Sequence, residues 1–264
     1  MGIGFQGAAT AVAADAMVRR AGGAGYSLSA LQPVCCLQRP CAFIDADPEA
    51  APDPALISEL RGLIEHVGPF RAGEYIHRIG DPSHGVCEVR SGAVKSVVDD
   101  REGGEQILGF TLPGELLGLN GAQGARHPSS AVALDTVYLC RMPFAGLAEL
   151  ARRFPPLQSR LFSLLSMEIG KAALLAANCR VEERLAVFLL DMGARHQRRG
   201  LSPVRFRLPM ARSEIANHLR MAPATASRAL RSMSEAGLIR LQHREVHLLQ
   251  PAKLAGMAAW SVGN

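Results

Sequence analysis

Met210-Ala211-Arg212-Ser213-Glu214-Ile215-Ala216-Asn217-His218-Leu219-Arg220-Met221-Ala222-Pro223-Ala224-Thr225-Ala226-Ser227-Arg228-Ala229-Leu230-Arg231-Ser232-Met233 decides the fold. Two short helices joined by a tight turn bury Ile215, Ala216, Leu219, Ala226, Leu230 and Met233 between them, and the small Ala216 permits a close crossing. Pro223 suits the first turn of the second helix, where its missing N–H costs nothing. The residues then facing outward are Ala224, Thr225, Ser227, Arg228 and Arg231. Arginine offers two parallel donors that match guanine O6 and N7, and Ser or Thr reaches base edges or phosphates. Arg228 is therefore expected to be the main base contact, with Ser227 and Thr225 secondary and Arg231 on phosphate. The competing reading is an amphipathic helical hairpin with a solvated charged face.

Outward from this stretch, Arg240-Leu241-Gln242 and Val246-His247-Leu248-Leu249, joined at His243-Arg244-Glu245, read as a basic hairpin placed like a wing beside the second helix. Ahead of it the pattern predicts a helix over Val181–Met192, a basic turn over Arg195–Pro203 and a short strand over Val204–Leu208. The net charge of +5 conceals an asymmetry. Residues 180–250 hold thirteen Arg, no Lys and six acidic residues, whereas the rest of the chain is close to neutral. A basic segment beside a neutral one is the footprint of phosphate-backbone binding, because neutralised phosphates release counterions.

Further upstream, from about Gly68 to Pro143, short apolar runs are cut by Gly and Pro, which predicts many short antiparallel strands closing into a barrel or roll. Asp53-Pro54 opens a short helix through Ile64. Leu157 to about Cys179 reads as a helix on which Phe162, Leu165, Ile169, Ala172 and Ala176 form a narrow apolar seam at heptad spacing. That seam suits a partner helix and predicts a homodimer; the alternative is packing on its own domain. Residues 1–34 are Ala- and Gly-rich without periodicity and are expected to form a loose tail. No run of eighteen apolar residues escapes a charge or turn former, so a soluble cytoplasmic protein without membrane contact is expected.

The fold class is therefore α+β. A tail occupies 1–34, a Cys-containing segment 35–45, a β-roll 46–155, a dimerisation helix 156–180, and a winged helix-turn-helix 181–264. Of six cysteines, the grouped Cys35, Cys36 and Cys41 point to metal, cluster or redox chemistry, because disulfides are unusual in a reducing compartment. Cys87 and Cys179 read as core or seam residues. Catalysis is not expected, since His66, His77, His84 and His127 are scattered without ligand spacing.

These segments together resemble the CRP/FNR regulators, dimeric bacterial transcription factors with a cyclic-nucleotide-binding-type β-roll (jelly roll), a long dimerisation helix and a winged helix-turn-helix. The likeness runs from about Cys35 to Leu249. It rests on Ala72-Gly73-Glu74, Gly80-Asp81, Arg90-Ser91-Gly92, Gly104-Glu105-Gln106-Ile107, Pro113-Gly114-Glu115-Leu116-Leu117-Gly118, Glu182-Glu183-Arg184-Leu185 and Thr225-Ala226-Ser227-Arg228, in that order. The resemblance implies double-stranded DNA as ligand, a palindromic operator, and RNA polymerase as a partner. It is closer to the FNR branch: Leu119 and Ser129-Ser130 stand where the cyclic-AMP branch carries a Glu and an Arg-Ser pair, so cyclic-nucleotide binding is not expected.

FNR-type sensors hold an oxygen-labile iron–sulfur cluster, and the resemblance implies Cys35, Cys36, Cys41 and Cys140 as ligands of a 4Fe-4S cluster, which takes four thiolates. The spacing departs from the family's, with Cys35 and Cys36 adjacent and Gln32 near the usual first ligand. A bare thiol redox switch, or cysteines without function, therefore stands beside the cluster as an alternative. A small-molecule effector, or none, is the alternative for regulation. Two further departures lie at the reading helix: Ala224 replaces a Glu, removing one base contact, and Ala222 replaces a capping Thr.

Overall fold

The computed structural model describes residues 42–43, 53–99, 103–122, 124, 126–176 and 180–258, the side chains of 171–176 excepted. All belong to the second of two units, Cys35–Asn264. The expected tail and the segment with Cys35, Cys36 and Cys41 lie outside the described residues, as does Cys179.

Helix α1 (Pro54–Leu63) starts where Asp53 Oδ1 accepts the Ala55 N–H at 2.8 Å, and it buries Leu56 and Leu60. Eight strands follow: β1 (Glu65–Phe70), β2 (Tyr75–His77), β3 (Gly85–Ser91), β4 (Val94–Asp99), β5 (Glu105–Thr111), β6 (Leu116–Leu117), β7 (Ser130–Ala133) and β8 (Val137–Pro143). They form two antiparallel four-stranded sheets, ordered β1-β8-β3-β6 and β2-β7-β4-β5. Val89, Leu117, Val137 and Leu139 of the first sheet meet Val94, Ala131 and Ala133 of the second in a closed apolar interior. This is the roll that the turn-punctuated pattern predicts.

Helices α2 (Phe144–Arg153) and α3 (Pro155–Ala176) complete this half. Leu147, Leu150 and Leu157 pack with Leu56, Leu60, Val86 and Met142 in a second cluster outside the first sheet.

The C-terminal half comprises α4 (Val181–Arg198), β9 (Arg205–Arg207), α5 (Arg212–His218), α6 (Pro223–Glu235), β10 (Ile239–Gln242), β11 (Glu245–Leu248) and α7 (Pro251–Met257). Strands order as β10-β11-β9. Gly193 lets β9 lie close against α4: a Cβ there would stand 2.3 Å from the Pro203 carbonyl oxygen.

The two halves share one core. Val97, Ile107, Phe110 and Leu112 on the outer face of the second sheet are buried in the same cluster as Leu185, Phe188, Ile215, Leu219, Leu230 and Val246. That sheet is thus covered on both faces.

Three sequence expectations need correction. Helix α4 continues past Met192 to Arg198, so Arg195 and His196 are helical rather than part of a basic turn. Both are buried, at 5% and 8% exposure. Arg195 is drawn in by Glu115, to which it is bonded through Nε at 2.7 Å and through Nη2, while Nη2 also donates to the Phe110 carbonyl at 2.6 Å. His196 stacks on Phe206 with ring centroids 5.0 Å apart. The wing turn is also tighter than expected, because Glu245 pairs with Gln242 and leaves only His243 and Arg244 in the loop. Finally, the strand expected at 204–208 spans only Arg205–Arg207.

Candidate nucleic-acid interface

Helix α5 opens with the Ala211 N–H donating to Glu214 Oε2 at 2.8 Å, an acidic group where the helix macrodipole favours one. It closes through Arg220, whose φ of 52° lies in the left-handed region, and through the Met221 N–H, which donates to the Ala216 carbonyl at 2.9 Å. This reversal sends the chain into α6. Ile215, Ala216 and Leu219 pack against Ala226, Leu230 and Met233, and all six are buried, as the spacing predicts. Ala229, which the sequence reading passed over, is buried with them.

The opposite side of α6 presents Ser227, Arg228 and Arg231 to solvent and Thr225 half-buried at its margin. Pro223 occupies the first turn. Ala222 is the N-cap and makes no side-chain cap bond. Arg228 Nη2 reaches Thr225 Oγ1 at 3.5 Å, a weak contact within one helical turn. The structure thus brings all four expected contact residues onto one helix.

Beside them stands the wing. A two-residue hairpin loop demands positive φ, and His243 supplies it at 54° although Asn or Gly does so with less strain. Arg244 is held by donating Nη1 to the Pro209 carbonyl at 2.7 Å, which ties the wing tip to the entry of α5. Arg205, Arg207 and Arg240 are exposed on the same three-stranded sheet. Of these only Arg240 was named from the sequence; for Arg205 and Arg207 the alternation with buried Phe206 and Leu208 was the available signal.

On α3, Phe162, Leu165 and Ile169 are 64%, 40% and 71% exposed, so these three apolar side chains lie largely open to solvent. Leu157 and Leu164, on the other side, are buried.

Cys140 lies on β8, fully buried. His66 Nδ1 is 3.5 Å from its sulfur and Arg90 Nη1 is 4.0 Å away, so cationic and imidazole groups face it. It is disulfide-bonded. Cys87 is half-buried on β3, and burial raises its thiol to about 11. Among the described residues no group of three His, Cys, Asp or Glu side chains is placed to hold a metal ion.

Ser129 and Ser130 are buried, and Ser130 Oγ accepts the Ile79 N–H at 2.9 Å. Contrary to the scattered impression left by the sequence, His77 and His127 stack on each other, with ring centroids 3.6 Å apart. Burial, with the neighbouring His127, lowers His77 to about 4.

Comparison with known proteins agrees with this geometry. Residues 68–154 match the cyclic nucleotide-binding domain and residues 183–257 the Crp-like helix-turn-helix domain. The transcriptional activator protein Anr of Pseudomonas protegens is 40% identical over 203 residues, covering 76% of this chain and 83% of that one. The chain belongs to the CRP/FNR family. It is a DNA-binding transcription regulator of the CRP/FNR type, on the FNR-like branch. The fumarate and nitrate reduction regulatory protein of Vibrio cholerae is 34% identical over 208 residues, 78% of this chain and 83% of that one. Among solved structures, FixK2 from Bradyrhizobium japonicum aligns with a TM-score of 0.66 at 27% identity, covering 74% of this chain and 96% of that one. The matched family and the named relatives are transcription regulators. Among the described residues no helix is long and apolar enough to cross a membrane.

Proposed function

We propose that this regulator is a cytoplasmic homodimer that reads a palindromic operator, contacts RNA polymerase, and responds to oxygen or redox state. Dimerisation runs through the seam of Phe162, Leu165 and Ile169, continued in sequence by Ala172 and Ala176. Arg228 reads a base edge, Ser227 and Thr225 add secondary contacts, and Arg231 holds a phosphate. The observation that carries the DNA reading is the solvent-open face of α6 bearing Ser227, Arg228 and Arg231 over a buried opposite face.

In a gel shift against operators selected from random DNA, Arg228→Ala is expected to remove about 1–3 kcal/mol of base discrimination, about thirtyfold at the middle of that range. Arg231→Ala weakens all sequences alike and lowers the salt dependence. Unchanged specificity in Arg228→Ala rejects the assignment.

For sensing, the resemblance to FNR-type proteins supports a 4Fe-4S cluster on Cys35, Cys36, Cys41 and Cys140. Such a cluster supplies oxygen-labile redox chemistry. The setting of Cys140 suits a bound anionic group, since Arg90 and His66 face its sulfur. The disulfide at Cys140 favours a second reading, a bare thiol switch. Anaerobic purification with iron and sulfide assay separates them: iron and sulfide with visible absorbance support the cluster, and a colourless, iron-free protein rejects it.

A further inference from the structure

The helix-turn-helix is joined to the sensor half by polar groups as well as by apolar packing, and those groups converge on one side chain. Strand β5 is an edge strand of its sheet, so main-chain groups along its free side have no neighbouring strand to bond. Asn217, near the end of α5, supplies one. Its Oδ1 accepts the Ile107 N–H at 2.6 Å, and its Nδ2 donates to the Glu105 carbonyl at 2.6 Å. These two groups flank Gln106, so the amide engages β5 as one residue of a parallel neighbouring strand would. Gln106 returns the contact, its Nε2 donating to the Asn217 carbonyl at 2.9 Å. Lys95 stands close by, with Nζ 2.6 Å from Glu105 Oε1 and 3.3 Å from Glu214 Oε1 of α5.

A bidentate amide on a strand edge fixes orientation, whereas apolar packing alone tolerates sliding. Because α5 and α6 share a buried interface, whatever fixes α5 fixes the direction in which Arg228 points. In a dimer on a palindrome, a small rotation of each α6 alters the separation of the two reading helices, which must match one helical turn of DNA.

We propose that Asn217 is a positioning residue: its amide, clamped on the β5 edge at Glu105 and Ile107, sets the angle of the helix-turn-helix on the sensor and thereby the half-site spacing that the dimer accepts. The inference rests on the dimeric DNA-reading proposed above. A change in the roll that moves β5 reaches α6 through this clamp.

The test uses the full-length chain and a palindrome selected by the wild-type protein, remade with one to five base pairs added between half-sites, together with a single half-site. Asn217→Ala is expected to keep half-site binding and lose about tenfold of its preference for the best spacing. Gln106→Ala, altered on the sensor side alone, is expected to move the same ratio in the same direction. A merely structural role lowers the active fraction and weakens every operator alike; an unchanged spacing ratio in both variants overturns the proposal. A wild-type protein with no spacing preference overturns the dimeric reading itself, and this proposal with it.

Discussion

Glu115→Gln tests the junction between the two halves most sharply. Arg195 is only 5% exposed, and its partner Glu115, in the turn before β6, is 22% exposed. The guanidinium meets both Glu115 oxygens, the Phe110 carbonyl and, at 3.4 Å, Asp191. Breaking a buried ion pair on one side commonly costs about 3–5 kcal/mol, because a charge is left without its counterion. Asp191 remains available and Glu115 is already partly hydrated, so the expected loss is smaller, about 2–4 kcal/mol. At roughly 2–4 °C per kcal/mol this lowers the melting temperature by on the order of 5–15 °C. Urea unfolding and calorimetry on Glu115→Gln and on the double variant Arg195→Met/Glu115→Gln read both numbers. The double variant is expected to regain part of the loss, since it removes the stranded charge along with its partner. A single variant within about 0.5 kcal/mol of the parent, or a double variant weaker than the single, would refute this reasoning.

Ile169→Glu places a charge at the most exposed apolar position of the α3 seam, and sedimentation at micromolar concentration is expected to show monomers; an undisturbed dimer removes the seam from the interface. Ala222→Ser restores a side-chain acceptor at the N-cap of α6 and is expected to stabilise the chain by about 1 kcal/mol, seen as a higher urea midpoint. Acid should weaken the roll through His77. Its imidazole is held down to about 4 by burial and by His127, so the unfolded chain takes up the proton first as pH falls. The stability it contributes is complete above about 6.5 and declines towards pH 4, by up to about 1.4 kcal/mol per unit. His77→Phe is expected to flatten that decline in urea titrations at pH 7.5, 6 and 5, and an identical slope would count against the assignment.

The helix-turn-helix was readable because its burial follows local periodicity: Ile215, Ala216, Leu219, Ala226, Leu230 and Met233 fall where a 3.6-residue repeat puts them. The roll was readable from turn residues punctuating short apolar runs. Arg195 and His196 misled because an Arg/His-rich stretch before Gly200 looks solvated, and the groups that make burial of Arg195 tolerable, Glu115 and the Phe110 carbonyl, are distant in sequence. Asn217 gave no signal, since its partners lie more than a hundred residues away. The stacking of His77 on His127 is likewise a product of sheet closure, which no local pattern encodes. Ala229 was legible and overlooked: it sits one turn from Ala226 on the same stripe.

The sheet β2-β7-β4-β5 carries apolar residues on both faces, and among the described residues one of them is sealed by the C-terminal half. A shortened chain ending after α3 would leave Ile107, Phe110 and Leu112 bare to water, an invitation to self-association. Chimaeras that exchange reading heads between relatives must therefore carry matched surfaces on both sides of this joint, and a graft chosen by operator preference alone would inherit a misfitting seat.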